Sequence, residues 1–438
     1  MKFSGMARWG LVFTVLSTQT GVLGSPPAEL DRLIAEALAR NADVAEAREM
    51  ADAARQRVRP AAALPDPMIS LSYENDGFEP SLGTQEMTRL ELMVQQAIPF
   101  PGKQRLAGQI AGAEAEEVES RVARVRLTVE ASVRRAYADL LLARQYRGLV
   151  DEQIGAFQGI EELTRNRYSV GMGSQQDVLR AQSERTRLEQ QRVRDEAAER
   201  MALTELSRLL QRTVETAEIA GHPLTREALP PPLSREEAQR LAAETSPELG
   251  QLRTSQGRAK LVADLARRNL RPDFVASASY MNRGGMPLMW SLGLGVSVPV
   301  WARQKQAPLI VEAESRIRAA AAAEVSLRTR LQGKTDERLI RLEQLVREAA
   351  LDADGILLQD RLSVDAALAS YRAGGVPFVA VLEALSTLFI DRRTAVSRLA
   401  AYLKTDADLR ELSPDGGVGP SPAGGGPAPL STSSASGM

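Results

Sequence analysis

The sequence predicts a mainly α-helical chain with a membrane β-barrel portion, built from four short strands and long coiled-coil helices. Three observations predict it. The composition favours helix formers, one order of elements occurs twice, and short segments alternate apolar with small polar residues at every second position.

Ala, Leu, Arg, Glu and Gln dominate long stretches while aromatic residues make up only 4%, the bias of extended helices. With 55 basic and 56 acidic residues the net charge is −1, so there is no cationic surplus to displace counterions from nucleic acid. The charges are interspersed, as on solvated helix faces. Cysteine is absent and His222 is the one histidine, which excludes disulfides, thiolate metal sites and Cys-His or Ser-His catalysis. No cofactor is expected. His222, within Gly-His-Pro, reads as a loop residue. Gly102-Lys103 lacks the flanking residues of a phosphate loop, and Gly171-Met172-Gly173 lacks a strand-turn-helix context, so an enzyme is not expected.

Residues 1–24 pair Lys2 and Arg8 with the apolar run Trp9 to Leu16 and small residues before Ser25, the pattern of a secretory signal peptide. A membrane-anchoring helix needs roughly 20 apolar residues, and Ser17-Thr18-Gln19-Thr20 ends this run early. No later segment is long and apolar enough to span as a helix. A membrane role therefore requires a closed barrel.

The chain is internally duplicated. Pro65-Asp66-Pro67-Met68-Ile69-Ser70-Leu71-Ser72-Tyr73 aligns without a gap on Pro272-Asp273-Phe274-Val275-Ala276-Ser277-Ala278-Ser279-Tyr280, an offset of 272 − 65 = 207. Val94 to Pro99 matches Leu294 to Pro299 at an offset of 200, and Tyr168-Ser169-Val170-Gly171 matches Tyr371-Arg372-Ala373-Gly374 at 203. The expected units are 25–219, a Gly- and Pro-rich linker 220–234, a second repeat 235–404, and a tail 405–438 whose Gly, Pro and Ser predict disorder.

Each repeat has a first helix (Leu30 to Val58, Arg235 to Asn269), two strands and two long helices. Trp290, Leu292, Leu294, Val296 and Val298 alternate with Ser291, Gly293, Gly295 and Ser297. Ile69-Leu71-Tyr73 and Phe274-Ala276-Ala278-Tyr280 repeat the theme, and the fourth strand, Arg89 to Ile98, follows it less cleanly through Leu90, Leu92, Val94 and Ile98. A half-buried soluble sheet has the same alternation. Strand lengths near those of a tilted membrane crossing, together with export, favour the barrel. Four strands do not close alone, so several chains must share one barrel.

Lys103 to Arg167 contains no proline, and Val118, Val122, Val125, Val129, Ala136, Leu140, Ala143, Val150, Ile154 and Phe157 recur at spacings of 3 and 4. At 1.5 Å per residue this is roughly 100 Å of helix. Gln175 to Leu210 returns, and Leu309 to Ala369 and Phe378 to Leu403 repeat the pair. A coiled-coil rod is the alternative for these helices taken alone. Between them, Gly171 and Gly173 end one helix, Ser174 caps the next and Asp177 lies at its positive end. In the second repeat Gly374, Gly375 and Pro377 make the equivalent tip.

The tip Tyr168-Ser169-Val170-Gly171-Met172-Gly173-Ser174-Gln175-Gln176-Asp177-Val178-Leu179, the strand-to-helix passage Gln96-Ala97-Ile98-Pro99-Phe100-Pro101-Gly102-Lys103 and the two-copy order resemble the TolC-like outer-membrane efflux protein family over roughly Glu29 to Lys404. The Pro-Phe-Pro-Gly-Lys segment is similar to members serving heavy-metal efflux pumps of the resistance-nodulation-division type. The resemblance implies a homotrimer whose 12-stranded barrel in outer-membrane lipid continues as a periplasmic helical tunnel. It also implies a periplasmic adaptor (membrane fusion) protein and an inner-membrane pump as partners. Gly171, Gly173, Ser174, Gly374 and Gly375 would be adaptor-contact tips. Pro99, Pro101 and Gly102 would form the strand-to-helix junction. Asp177 and Glu383 would be gate residues, although Ala380 stands where members often have a carboxylate. The substrate stays open among heavy-metal cations, drugs and a type I secreted protein. A periplasmic coiled-coil scaffold or adaptor is the competing reading, although an adaptor would carry one helical hairpin rather than two.

Overall fold

A computed structural model describes residues 26–82 and 85–412. The expected signal segment and residues 413–438 of the expected tail lie outside the described residues.

The first repeat opens with α1 (Pro26–Arg40), α2 (Ala42–Gln56) and one further turn, α3 (Val58–Ala62). The single helix expected from Leu30 to Val58 is broken at Asn41. This residue is extended (φ −62°, ψ 130°); its side-chain oxygen accepts from the Asp43 N–H at 2.9 Å and its amide donates to Leu209 O at 3.1 Å. A buried amide thus fixes the angle between α1 and α2 by capping one and gripping a distant helix end. Strands β1 (Met68–Glu74) and β2 (Arg89–Ile98) follow, then α4 (Lys103–Ser169) and α5 (Gln175–Leu210).

The second repeat has α6 (Arg235–Glu244), α7 (Pro247–Arg268), β3 (Asp273–Asn282), β4 (Met289–Ser297), α8 (Gln306–Leu351), α9 (Leu357–Arg372) and α10 (Phe378–Leu412). The helix expected over Arg235 to Asn269 divides where Pro247, which lacks an N–H, takes the first position of α7. The long helix expected from Leu309 to Ala369 is interrupted by a π turn at Asp352–Ile356. There the buried Asp352 carboxylate meets Arg398 of α10. The last helix also runs beyond the expected boundary at 404. Asp406 accepts from Arg410 at 2.8 Å, and Arg135 of α4 reaches Asp408 at 2.7 Å and Glu411 at 3.2 Å. The polar run that looked like the start of a tail stays helical because its carboxylates have partners.

The four strands form one antiparallel sheet in the order β1-β2-β3-β4, so the two repeats meet at β2 and β3. The core lies among the helices. One cluster gathers Leu33, Val133, Leu140, Leu206, Leu210 and Ala400 from α1, α4, α5 and α10. A second gathers Val150, Phe157, Ala181, Phe378, Val381 and Leu385 towards the hairpin tips. Along α4 the expected seam is buried from Val129 to Phe157, whereas Val118, Val122 and Val125 are half-buried. The linker is fastened at both ends. Glu29 accepts from the N–H groups of Ala220 and Gly221 and from the Tyr137 hydroxyl, and Tyr402 donates to Pro230 O at 2.6 Å.

Candidate functional site: an amphipathic sheet and two hairpin tips

Residues directly opposite each other in an antiparallel pair point to the same face. Leu71 faces Leu92, Leu92 faces Tyr280, and Tyr280 faces Trp290. Ile69, Val94, Ala278 and Leu292 form the next row, followed by Gln96, Ala276 and Leu294. All four alternations therefore fall on one side of one sheet. Gln96 and, at the end of β3, Asn282 are polar exceptions, and the Gln96 amide donates to Pro65 O and Ala97 O. Ser70, Ser72, Gln95, Ser277, Ser279, Ser291 and Gly293 share the other side, where the hydroxyls of Ser279 and Ser291 are 2.8 Å apart. The apolar side is open: Leu294 is 91% exposed, Leu292 74% and Leu71 67%. Among the described residues no helix covers this continuous greasy face, and β1 and β4 each leave one edge without a strand partner.

The junction beneath the sheet is built by Pro99, Pro101 and Gly102. Gly102 adopts φ +93° ahead of α4, and a Cβ there would lie 2.1 Å from the Arg268 guanidinium, which donates to Pro101 O. Asp273, opening β3, accepts from the Phe100 N–H at 2.7 Å and the Lys103 ammonium at 2.8 Å. One carboxylate thus joins the end of β2, the start of α4 and the start of β3.

At the far end both hairpins turn by the same hydrogen-bond pattern. Gly171 has φ +74°; its N–H donates to Tyr168 O and that of Met172 to Arg167 O. Gly374 has φ +81°, and Gly374 and Gly375 donate to Tyr371 O and Ser370 O. These are paired Schellman caps, 203 residues apart. Ser174 accepts from the Asp177 N–H at 3.2 Å, as expected of an N-cap, while Pro377 takes its place before α10. Gly173 packs against Arg167 and Tyr168, where a Cβ would lie 3.1 Å from Arg167 Cβ.

Arg167 is the residue that sequence reasoning missed. Its guanidinium donates to Tyr371 O (2.7 Å), Arg372 O (3.0 Å) and Met172 O (3.1 Å), and lies 4.7 Å from the Tyr371 ring centroid. It therefore pins one tip to the other. The signal was its place beside Tyr168, where the second repeat carries Ser370. The Tyr371 hydroxyl is pushed upward in pKa by burial and by the Asp177 charge, partly offset by Arg167. Asp177 is half-buried and Glu383 solvent-exposed, and no hydrogen bond or ion pair joins the two among the described residues.

Residues 33–212 match the sequence model described as outer membrane efflux protein. No curated protein matches the sequence. Among solved structures, the fold is similar to a membrane protein from Pseudomonas aeruginosa (TM-score 0.77, 18% identity, 88% of this chain and 92% of that one). It is also similar to CusC, described as forming a transmembrane channel (0.73, 17%, 88% and 92%). The outer membrane protein VceC of Vibrio cholerae is a third (0.72, 19%, 88% and 96%). The described architecture, sheet and helices together, shares its fold with these structures.

Proposed function

We propose, on the match of residues 33–212 to the outer membrane efflux protein model, that three copies form the exit duct of a tripartite efflux system. Three sheets of four strands give a twelve-stranded barrel, with the apolar face to lipid and the Ser- and Gly-rich face to a wide lumen. The observation that carries this reading is the uncovered apolar face on a sheet with two free edges. Closing the ring through β4 of one chain and β1 of the next removes every edge. Below the barrel, α4 and its second-copy counterparts extend roughly 100 Å, long enough to reach into the periplasm.

In this reading Gly171, Gly173, Ser174, Gly374 and Gly375 present the tips to a periplasmic adaptor that couples the duct to an inner-membrane pump. Asp177 and Glu383 line the tunnel entrance. Pro99, Pro101 and Gly102 redirect the chain from strand to helix at the membrane boundary. Heavy-metal cations are the favoured cargo, on the Pro-Phe-Pro-Gly-Lys resemblance; drugs are the alternative. Deleting the gene and measuring susceptibility to zinc, cobalt, cadmium, copper and common drugs tests both. Restored metal tolerance on complementation supports the first cargo, and drug sensitivity alone supports the second. Recovery of the chain as a soluble periplasmic protein contradicts the duct.

A further inference from the structure

We infer that Asp66 of each protomer forms an ion pair with Arg303 of its neighbour, locking the seam at which the barrel closes. The inference rests on the trimer proposed above and deepens it by naming the register and the charges of the closing contact.

The internal duplication provides the template. β2 and β3 are adjacent within the chain, and the second copy of β2 is β4, whereas the first copy of β3 is β1. Applying the offsets of 200 and 207 converts the observed pair Val94 with Ala278 into Leu294 with Leu71. The neighbouring pairs become Leu292 with Tyr73 and Val296 with Ile69. All are apolar and all lie on the lipid side of their own strands, while Gly293 meets Ser72 on the lumen side. A slip of one residue would set lipid-facing side chains against lumen-facing ones. The offsets come from sequence alignment and the register from backbone pairing, so their agreement on face is an independent check. Every one of the seven residues of β1 gains a partner in this register.

The same offsets carry Asp273 onto Asp66 and Lys103 onto Arg303. The first pair is joined at 2.8 Å inside the chain. Asp66 and Arg303 are both exposed, and neither has an ion-pair partner among the described residues. Arg303 lies in the turn between β4 and α8, and Lys103 follows β2 at the start of α4. Opposite charges at corresponding ends of two open edges are what a repeated junction requires, one half from each chain.

The chain has no cysteine, so introduced pairs report alone. Leu71→Cys with Leu294→Cys in the full chain is expected to oxidise to a covalent trimer, because directly opposed strand residues lie within disulfide reach. Ile69→Cys with Leu294→Cys, slipped by two residues, is expected not to do so. Separately, Asp66→Arg and Arg303→Asp should each lower the temperature at which the detergent-extracted trimer dissociates, and the double reversal should regain most of the loss. Lys305→Asp should change it less than Arg303→Asp. Cross-linking in the slipped pair, or a double reversal no better than the singles, would overturn the seam while leaving the trimer standing. A wild-type chain that is not trimeric in detergent would overturn both.

Discussion

The two long helices α4 and α8 are copies of one element, yet the chain treats them differently. α4 is packed on several sides, by α2 and α3, by α5, and by α7 and α10 of the other repeat. Its large apolar side chains are covered until Tyr168 at the tip. Among the described residues α8 packs mainly against α6, α7 and α10, and leaves Leu309, Val311, Val325 and Ile340 exposed along its length. The strands repeat the contrast, since β2 and β3 are paired on both sides whereas β1 and β4 are edges. Each repeat therefore keeps one strand open, β1 in the first and β4 in the second, and the long helix of the second repeat is the less covered of the two. Among soluble monomers such apolar ladders are uncommon. Here they fall where a ring of identical chains would put a neighbour.

The comparison can be broken first at its strongest point. Phe157 of α4 is 1% exposed, and Phe157→Ala should destabilise the chain by about 3–5 kcal/mol, read as a lower unfolding temperature of the detergent-solubilised protein. Val325→Asp on α8 should instead leave the helix content intact and lower the trimer fraction. If the α8 variant lost helix content as α4 variants do, the two helices would not differ as described. At the junction, Gly102→Ala forces an L-residue to φ +93° and displaces Arg268 from Pro101, costing roughly 1–2 kcal/mol. The second copy already carries Ala302 at the corresponding place, so Ala302→Gly should change stability much less.

At the tips the expected effects are functional. Gly171→Val should reduce export in a susceptibility assay more than it reduces trimer assembly, because the residue is exposed and its conformation shapes the tip. Unchanged export with normal assembly would count against adaptor contact there. The smallest effect concerns the linker between copies. Burial holds His222 below its ordinary pKa of 6.5, with the Glu29 charge opposing. The fold therefore favours the neutral ring, and that contribution is present above the unfolded-state pKa and lost as pH falls through the lower folded-state pKa. Thermal unfolding at pH 8 and pH 5.5 should show a larger fall for the wild type than for His222→Gln.

Much of the fold was legible in the sequence because two periods carry it. Alternation by two marked the strands, and β2 begins and ends at the residues expected, Arg89 and Ile98. Spacings of 3 and 4 marked α4 and α5, the latter at Gln175–Leu210 as expected. The breaks were not legible, for a physical reason. Asn41 stops α1 by gripping Leu209 and the π turn at Asp352 answers Arg398, and both partners are remote in sequence. The end of α10 was misplaced for the same reason, since Arg135 on α4 is what keeps Asp408 and Glu411 in a helix. At the tips, glycines announced the turns directly through their left-handed backbone. Arg167 did not announce itself, because its work is done on main-chain carbonyls of the other repeat, and a carbonyl leaves no trace in a sequence.

Identical neighbours in the outer membrane are expected to complete the open strand edges and uncovered apolar faces of the chain. Native mass spectrometry of the protein extracted from outer membranes in mild detergent tests it most directly. Three chains per particle is the predicted result; a single chain, or protein found only in the soluble periplasmic fraction, would contradict it.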